Sequence, residues 1–195
     1  MIERVIHQMW GFRDSGPMPS AFAASQRSWR ERHPGWTHIL WTPDKVETLV
    51  RDHYPEVWPL YRSYPDWVQR ADAGRYMILH RHGGLYSDLD ILCRKPFDEF
   101  LPHAIVLPKT APVGFSNDLM MAEKGHPFMA ALIAALGPAQ ARWGRRLLPR
   151  HLRIMMTTGP LFLTLQSRRL GPAGSIFILP HPVYDGPDEE ARYVT

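Results

Sequence analysis

Asp88 and Asp90 stand on alternate positions at the end of the stretch DAGRYMILHRHGGLYSDLD (residues 72–90), just after a Gly-Gly break and a short apolar run. Paired carboxylates suit a hard divalent cation, and a nucleotide diphosphate wants such a cation beside it. Taken alone, a D-x-D also reads as a solvated turn or a helix cap. Asp72 and Arg75 shift that balance. Three residues apart on one helical face, they would otherwise be an ordinary surface ion pair. Here they precede the aspartates by one helix and one turn, so all four charged groups are expected to converge on one pocket. A metal and an arginine would neutralise charge on a departing phosphate, while anionic oxygens would stabilise positive character on a sugar ring.

These groups need elements to hold them. From Pro65 onward apolar residues recur at Trp67, Ala71, Gly74 and Ile78, which predicts a helix over Asp66–His82 with one buried stripe. Gly83 is its natural C-terminal cap, and Gly84 lets the chain reverse into the strand Leu85-Tyr86-Ser87. The aspartates then lie at a strand end, where open α/β sheets bind ligands. In an extended segment Asp88 and Asp90 would share one face, with Leu89 turned to the core. Further strands are expected at Arg4–Met9, Thr37–Trp41, His103–Leu107 and Asn117–Ala122. Helices are expected at Pro19–Arg32, Pro43–His53, Pro127–Leu136 and Gly159–Arg168. Such alternation argues for an α/β fold with a mainly parallel sheet.

The ordered series of motifs resembles the DXD-containing sugar transferases that include the fungal initiating mannosyltransferases, with the large clostridial glucosylating toxins as distant relatives. Val5 to Trp10 (VIHQMW) is similar to that family's first strand, Ser28 to Trp41 (SWRERHPGWTHILW) to its next helix and strand, and residues 72–90 to its signature. The resemblance implies a single nucleotide-sugar-binding domain over residues 1–195, Rossmann-like and of the GT-A type. It also implies a hexosyltransferase of the retaining kind, in which the leaving phosphate oxygen takes the acceptor proton. By residue, it implies that Trp10 stacks on the base, and that Asp72 and Arg75 contact the donor sugar and its phosphates. Asp88 and Asp90 would bind Mn2+ or Mg2+, with Asp88 also reaching ribose or sugar hydroxyls, and Asn117 would approach the leaving phosphate. The implied donor is a UDP-sugar ahead of a GDP-sugar, and the implied acceptor a glycan, a lipid-linked sugar or a protein. His181, in Leu179 to Tyr184, reads either as a further metal ligand or as a plain loop histidine.

The rest of the chain fits a compact enzyme. Its 195 residues are 45% hydrophobic with seven Trp, too apolar for disorder. The single cysteine, Cys93, excludes an intramolecular disulfide and reads as a buried thiol. The chain opens Met-Ile-Glu-Arg and has no apolar run of membrane-spanning length, so a cytoplasmic enzyme is expected. The basic run Arg142 to Arg153 reads first as a solvated face beside the active-site cleft, broken by Gly144 and Pro149. Its alternative is peripheral contact with an anionic membrane or a lipid-diphosphate acceptor. Nucleic acid is not an expected partner. His80 and His82 do not share a helical face and make a poor zinc site, His7 is expected buried and hydrogen-bonded, and His126 is expected to cap a helix. Two alternatives stay open: an aspartyl-phosphate phosphatase with Asp88 as nucleophile, and a nucleotide-sugar-binding module without turnover.

Overall fold

The computed structural model describes residues 1–13, 16–110, 114–144, 148–169 and 176–179. Its centre is a six-stranded sheet of β1 (Val5–Met9), β2 (Thr37–Trp41), β3 (Gly84–Ser87), β4 (Ile105–Pro108), β5 (Leu119–Ala122) and β6 (Ile176–Leu179), in the order β2-β1-β3-β5-β4-β6. β1 pairs parallel with β2 and β3, and β4 pairs parallel with β6. The sheet is mostly parallel, as expected, but β5 enters antiparallel to both β3 and β4.

The helices are α1 (Ser20–Arg32), α2 (Pro43–His53), α3 (Trp58–Ser63), α4 (Trp67–His82), α5 (Pro127–Trp143), α6 (Arg150–Thr157) and α7 (Pro160–Arg169). Period-two alternation divides the central strands between two cores. Tyr86, Met120, Ala122, Ile105 and Leu107 pack with α2, α4, α5 and α7, whereas Leu85, Leu119, Met121 and Val106 pack with Trp29 of α1 and with Phe97 and Phe100. Of the described helices, none is long and apolar enough to cross a membrane.

The central helix α4 departs from the sequence expectation of one buried stripe. All residues from Ala71 to Leu79 are buried, because α4 is enclosed by the sheet, α2, α5 and α6. Asp72 and Arg75 are therefore inside the protein, not on a surface face. Gly74 permits this crowding: a Cβ there would meet Val46 Cγ1 at 2.8 Å. At the C-terminus, Gly83 takes φ +68°, and a Cβ on Gly84 would stand 2.4 Å from the Val5 carbonyl oxygen across the sheet. The Gly-Gly break thus caps α4 and lets β3 approach β1 closely.

α5 runs to Trp143 instead of stopping at Leu136, although Pro138 lies inside it. Burial of Leu132, Ile133, Leu136 and Ala139 outweighs the missing hydrogen bond. His126 caps α5 as expected, its Nδ1 accepting from the Phe128 amide at 3.1 Å.

His7 is fully buried in β1. Trp41 Nε1 donates to its Nδ1 at 3.1 Å, so its Nε2 is the donor to the Gly83 carbonyl at 2.9 Å, and the ring is neutral. Burial, assisted by His82, lowers its pKa to about 4. The unfolded chain binds this proton near the ordinary histidine value and the folded chain does not. Stability is therefore fully present above pH ~6.5 and is lost as pH falls towards 4, by about 3 kcal/mol for this one group. His33, His80 and His82, also lowered chiefly by burial, add the same sign. Urea unfolding at pH 7 and pH 4.5 should show this loss, with a shallower dependence in His7→Gln; equal slopes would contradict it.

Candidate active site

β3 ends at Ser87, and the chain turns instead of continuing extended: the Asp88 amide donates to the Asp118 carbonyl at 2.7 Å, and the Ile91 amide returns to the Asp88 carbonyl at 3.4 Å. The strand alternation expected for Asp88 and Asp90 is replaced by this turn. It still buries Leu89 and sets Asp88 and Asp90 along the same cleft, Asp88 half-buried and Asp90 exposed.

That cleft, about 960 Å³, opens at the carboxyl ends of β1 and β3 and is lined by Trp10, Asp72, Arg75, Asp88, Asp90 and Asn117. These are six of the seven predicted site residues. The seventh, His181, lies outside the described residues, as does part of the basic run, residues 145–147. No group of three or more His, Cys, Asp or Glu side chains is placed to hold a metal ion among the described residues. The carboxylates present are the pair Asp88 and Asp90, with Asp118 adding negative charge beside Asp88.

Arg75 is the hub. Its Nη1 donates to the Asn117 carbonyl at 2.6 Å, its Nη2 lies 3.4 Å from both Asp72 Oδ1 and Asp88 Oδ1, and its guanidinium carbon sits 4.8 Å from the Tyr86 ring centre. Burial opposes its charge, yet Asp88, Tyr86 and Asp72 hold it protonated. The Tyr86 hydroxyl donates to Asp88 Oδ1 at 2.6 Å. Burial pushes the Asp88 carboxyl up to about 6, against the pull of Arg75 and of that hydroxyl.

Asp72 is held on both oxygens. Oδ1 accepts from Asn117 Nδ2 and Oδ2 from Thr158 Oγ1, each at 3.0 Å. Burial raises its pKa, opposed by Arg75, Thr158 and Asn117. Tyr76 closes the circuit, its hydroxyl lying 3.3 Å from Asn117 Nδ2 and donating to the Thr158 carbonyl at 2.7 Å. Sequence reasoning missed Thr158, Tyr76, Tyr86 and Asp118. Tyr76 and Asp118 directly follow the predicted Arg75 and Asn117, and Tyr86 lies two residues before Asp88, so all three were open to notice, whereas Thr158 is 86 residues from Asp72 and stands in no motif. Thr158→Val is expected to strand a buried carboxylate oxygen, costing about 1–3 kcal/mol in chemical denaturation, with Thr158→Ser recovering most of it.

Trp10 lies along the cleft wall, with the edge of Phe22 against it at 5.6 Å between ring centres. Cys93 is buried, its thiol pushed up to about 12 by burial, away from nucleophilic use.

Among solved structures, the PaToxG glycosyltransferase has a TM-score of 0.67 to this chain at 15% identity, covering 88% of this chain and 70% of that one. The UDP-bound glycosyltransferase domain of the YGT toxin has a TM-score of 0.59 at 11% identity, covering 91% and 79%. The fold is therefore the GT-A fold of the glycosyltransferases. Residues 19–107 match the family described as the glycosyltransferase sugar-binding region containing a DXD motif. It is 37% identical over 201 residues to inositol phosphoceramide mannosyltransferase 1 of Schizosaccharomyces pombe, covering 100% of this chain and 61% of that protein. It is 36% identical over 165 residues to a mannosyl phosphorylinositol ceramide synthase of Saccharomyces cerevisiae, covering 85% and 42%. The chain thus spans less than two thirds of the length of these relatives.

Proposed function

We propose that the protein transfers a hexose from a nucleotide-diphosphate sugar to an acceptor hydroxyl, with retention at the anomeric carbon. The observation that carries this reading is the buried Asp72–Arg75–Asp88–Asn117 network on the floor of a cleft at the strand ends. The names of the mannosyltransferase relatives support mannose as the hexose, for which GDP-mannose is the donor we favour over a UDP-sugar, and support a phosphoinositol lipid as the acceptor.

A divalent cation fits the residues present. Arg75 pairs with Asp72 and Asp88, Asp90 and Asp118 add negative charge beside Asp88, and Asp118 Oδ1 is buried without a hydrogen-bond partner, so the corner is electronegative. Asp88 and Asp90 would hold the ion, leaving the rest of its shell to diphosphate oxygens and water. When bound, Mn2+ or Mg2+ supplies neutralisation of the leaving diphosphate.

The chain's own residues do the rest. Trp10 offers an indole face to the base. Arg75, fixed by three partners, presents a preorganised positive charge to the phosphate side without reorganising. Asn117 and Thr158 each donate to one oxygen of Asp72 and so fix the carboxylate in place to position the sugar. The bond from the anomeric carbon to phosphate breaks as the acceptor oxygen bonds to that carbon on the same face, and the acceptor proton passes to the departing phosphate oxygen.

Thermal shift and donor hydrolysis with GDP-mannose, UDP-glucose and UDP-galactose, each with and without Mn2+, test the reading. One donor should stabilise the protein and be hydrolysed in a metal-dependent way. Silence towards every donor would sink it.

A further inference from the structure

The cleft extends beyond the charged network. α4 presents two rows to it at four-residue spacing, Trp67–Ala71–Arg75 and Val68–Asp72. At about 1.5 Å rise per residue, Trp67 lies roughly 12 Å along the axis from Arg75. There Arg150, His151 and Met155 of α6 line the same cleft. Asp66, just before α4, joins the two helices: it accepts from Arg150 Nε at 2.5 Å and from Arg153 Nη2 at 3.1 Å. Two guanidiniums against one carboxylate leave one positive charge in surplus. Arg150 keeps 61% of its side chain exposed, and Trp67 is 40% exposed. This end is cationic and aromatic, whereas the Asp88–Asp90 end is anionic.

We infer that the α4–α6 end of the cleft is the acceptor subsite, and that it takes a phosphodiester joined to a polyhydroxy ring, with Arg150 and His151 on the phosphate and Trp67 against the ring. The inference rests on the reading of the Asp88–Asp90 end as the donor site. A donor held by Trp10, Arg75 and the Asp88–Asp90 pair would leave the α6 wall of the cleft for the second substrate. A guanidinium and an imidazole give hydrogen-bond donors to phosphate oxygens, and an indole face covers the C–H surface of a sugar or inositol ring. The basic run thus contributes in part to the substrate cleft and not only to a solvated face.

Calorimetric titration of the whole chain with glycerophosphoinositol, myo-inositol and inorganic phosphate tests this. Glycerophosphoinositol should bind at least tenfold more tightly than either fragment. Its Kd should rise about tenfold in Arg150→Gln and in His151→Ala, recover in Arg150→Lys, and rise in Trp67→Ala while phosphate binding is unchanged. Arg153 keeps Asp66 paired when Arg150 is replaced, and His151 lies outside that ion pair, so at least one variant reads out binding in a folded protein. No binding by the wild type, phosphate binding as tightly as the diester, or variants indistinguishable from wild type would each overturn the inference. Donor response is measured separately: a donor that binds while glycerophosphoinositol does not sinks this inference alone. Loss of every donor response sinks the reading of the donor site, and the titration still decides whether the subsite exists.

Discussion

Arg75→Leu is expected to lose about 3–5 kcal/mol of stability, because removing one member of a buried charge cluster leaves the others uncompensated. For a chain of this length that is a fall in Tm of roughly 6–20 °C. The carboxylates stranded are Asp72, buried, and Asp88, half-buried, both within 3.4 Å of the guanidinium. Both are already raised by burial. Without Arg75, which lowers both, the two carboxyls would bind protons more readily, so the deficit relative to wild type should be largest at pH 7 and shrink towards pH 5 as they protonate. Arg75→Lys keeps a charge but cannot span Asn117, Asp72 and Asp88 together, so it should recover part of the stability and little donor hydrolysis. Differential scanning calorimetry at the two pH values, beside donor hydrolysis by both variants, checks the set. A pH-independent deficit would mean that lost packing, not stranded charge, governs the effect.

What was legible in the sequence was local. The unit from α4 through the Gly-Gly break to the aspartates is contiguous, so periodicity, a cap and a spacing brought Asp72, Arg75, Asp88 and Asp90 together on paper. The cleft contains all four. Trp10 and Asn117 were implied by the family resemblance alone, and the structure places both on the wall of the same cleft. What failed depended on partners far along the chain. The antiparallel insertion of β5 between β3 and β4 is fixed by register, which no segment of the strands announces. The burial of α4 on all sides follows from α2, α5 and α6 packing around it, so an apolar stripe understated it. α6 follows Pro149 and carries only basic side chains among its charges, so its sequence reads as the end of a broken basic run. In the structure two of its arginines meet Asp66. Thr158 has meaning only through Asp72, to which nothing in its own neighbourhood points.

Asp90→Ala should separate chemistry from folding most cleanly. Asp90 is exposed and makes no hydrogen bond among the described residues, so its loss should leave stability within about 0.5 kcal/mol of wild type. If it is the direct metal ligand, metal-dependent donor hydrolysis should fall about a thousandfold, the equivalent of about 4 kcal/mol of transition-state stabilisation. Two readouts do not depend on turnover. The thermal stabilisation produced by Mn2+ with a nucleotide should disappear, and so should the Mn2+-induced broadening of NMR signals from residues lining the cleft. Asp90 also raises the pKa of Asp88 by like-charge repulsion, so in the variant Asp88 should titrate lower than in wild type. Asp88→Asn makes the informative contrast. It removes a partner of Arg75 and of the Tyr86 hydroxyl as well as a ligand, so it should change stability and activity together, whereas Asp90→Ala changes activity alone. Asp90→Ala with full metal-dependent turnover would place the cation on Asp88 and Asp118, deeper in the cleft than the exposed end of the motif.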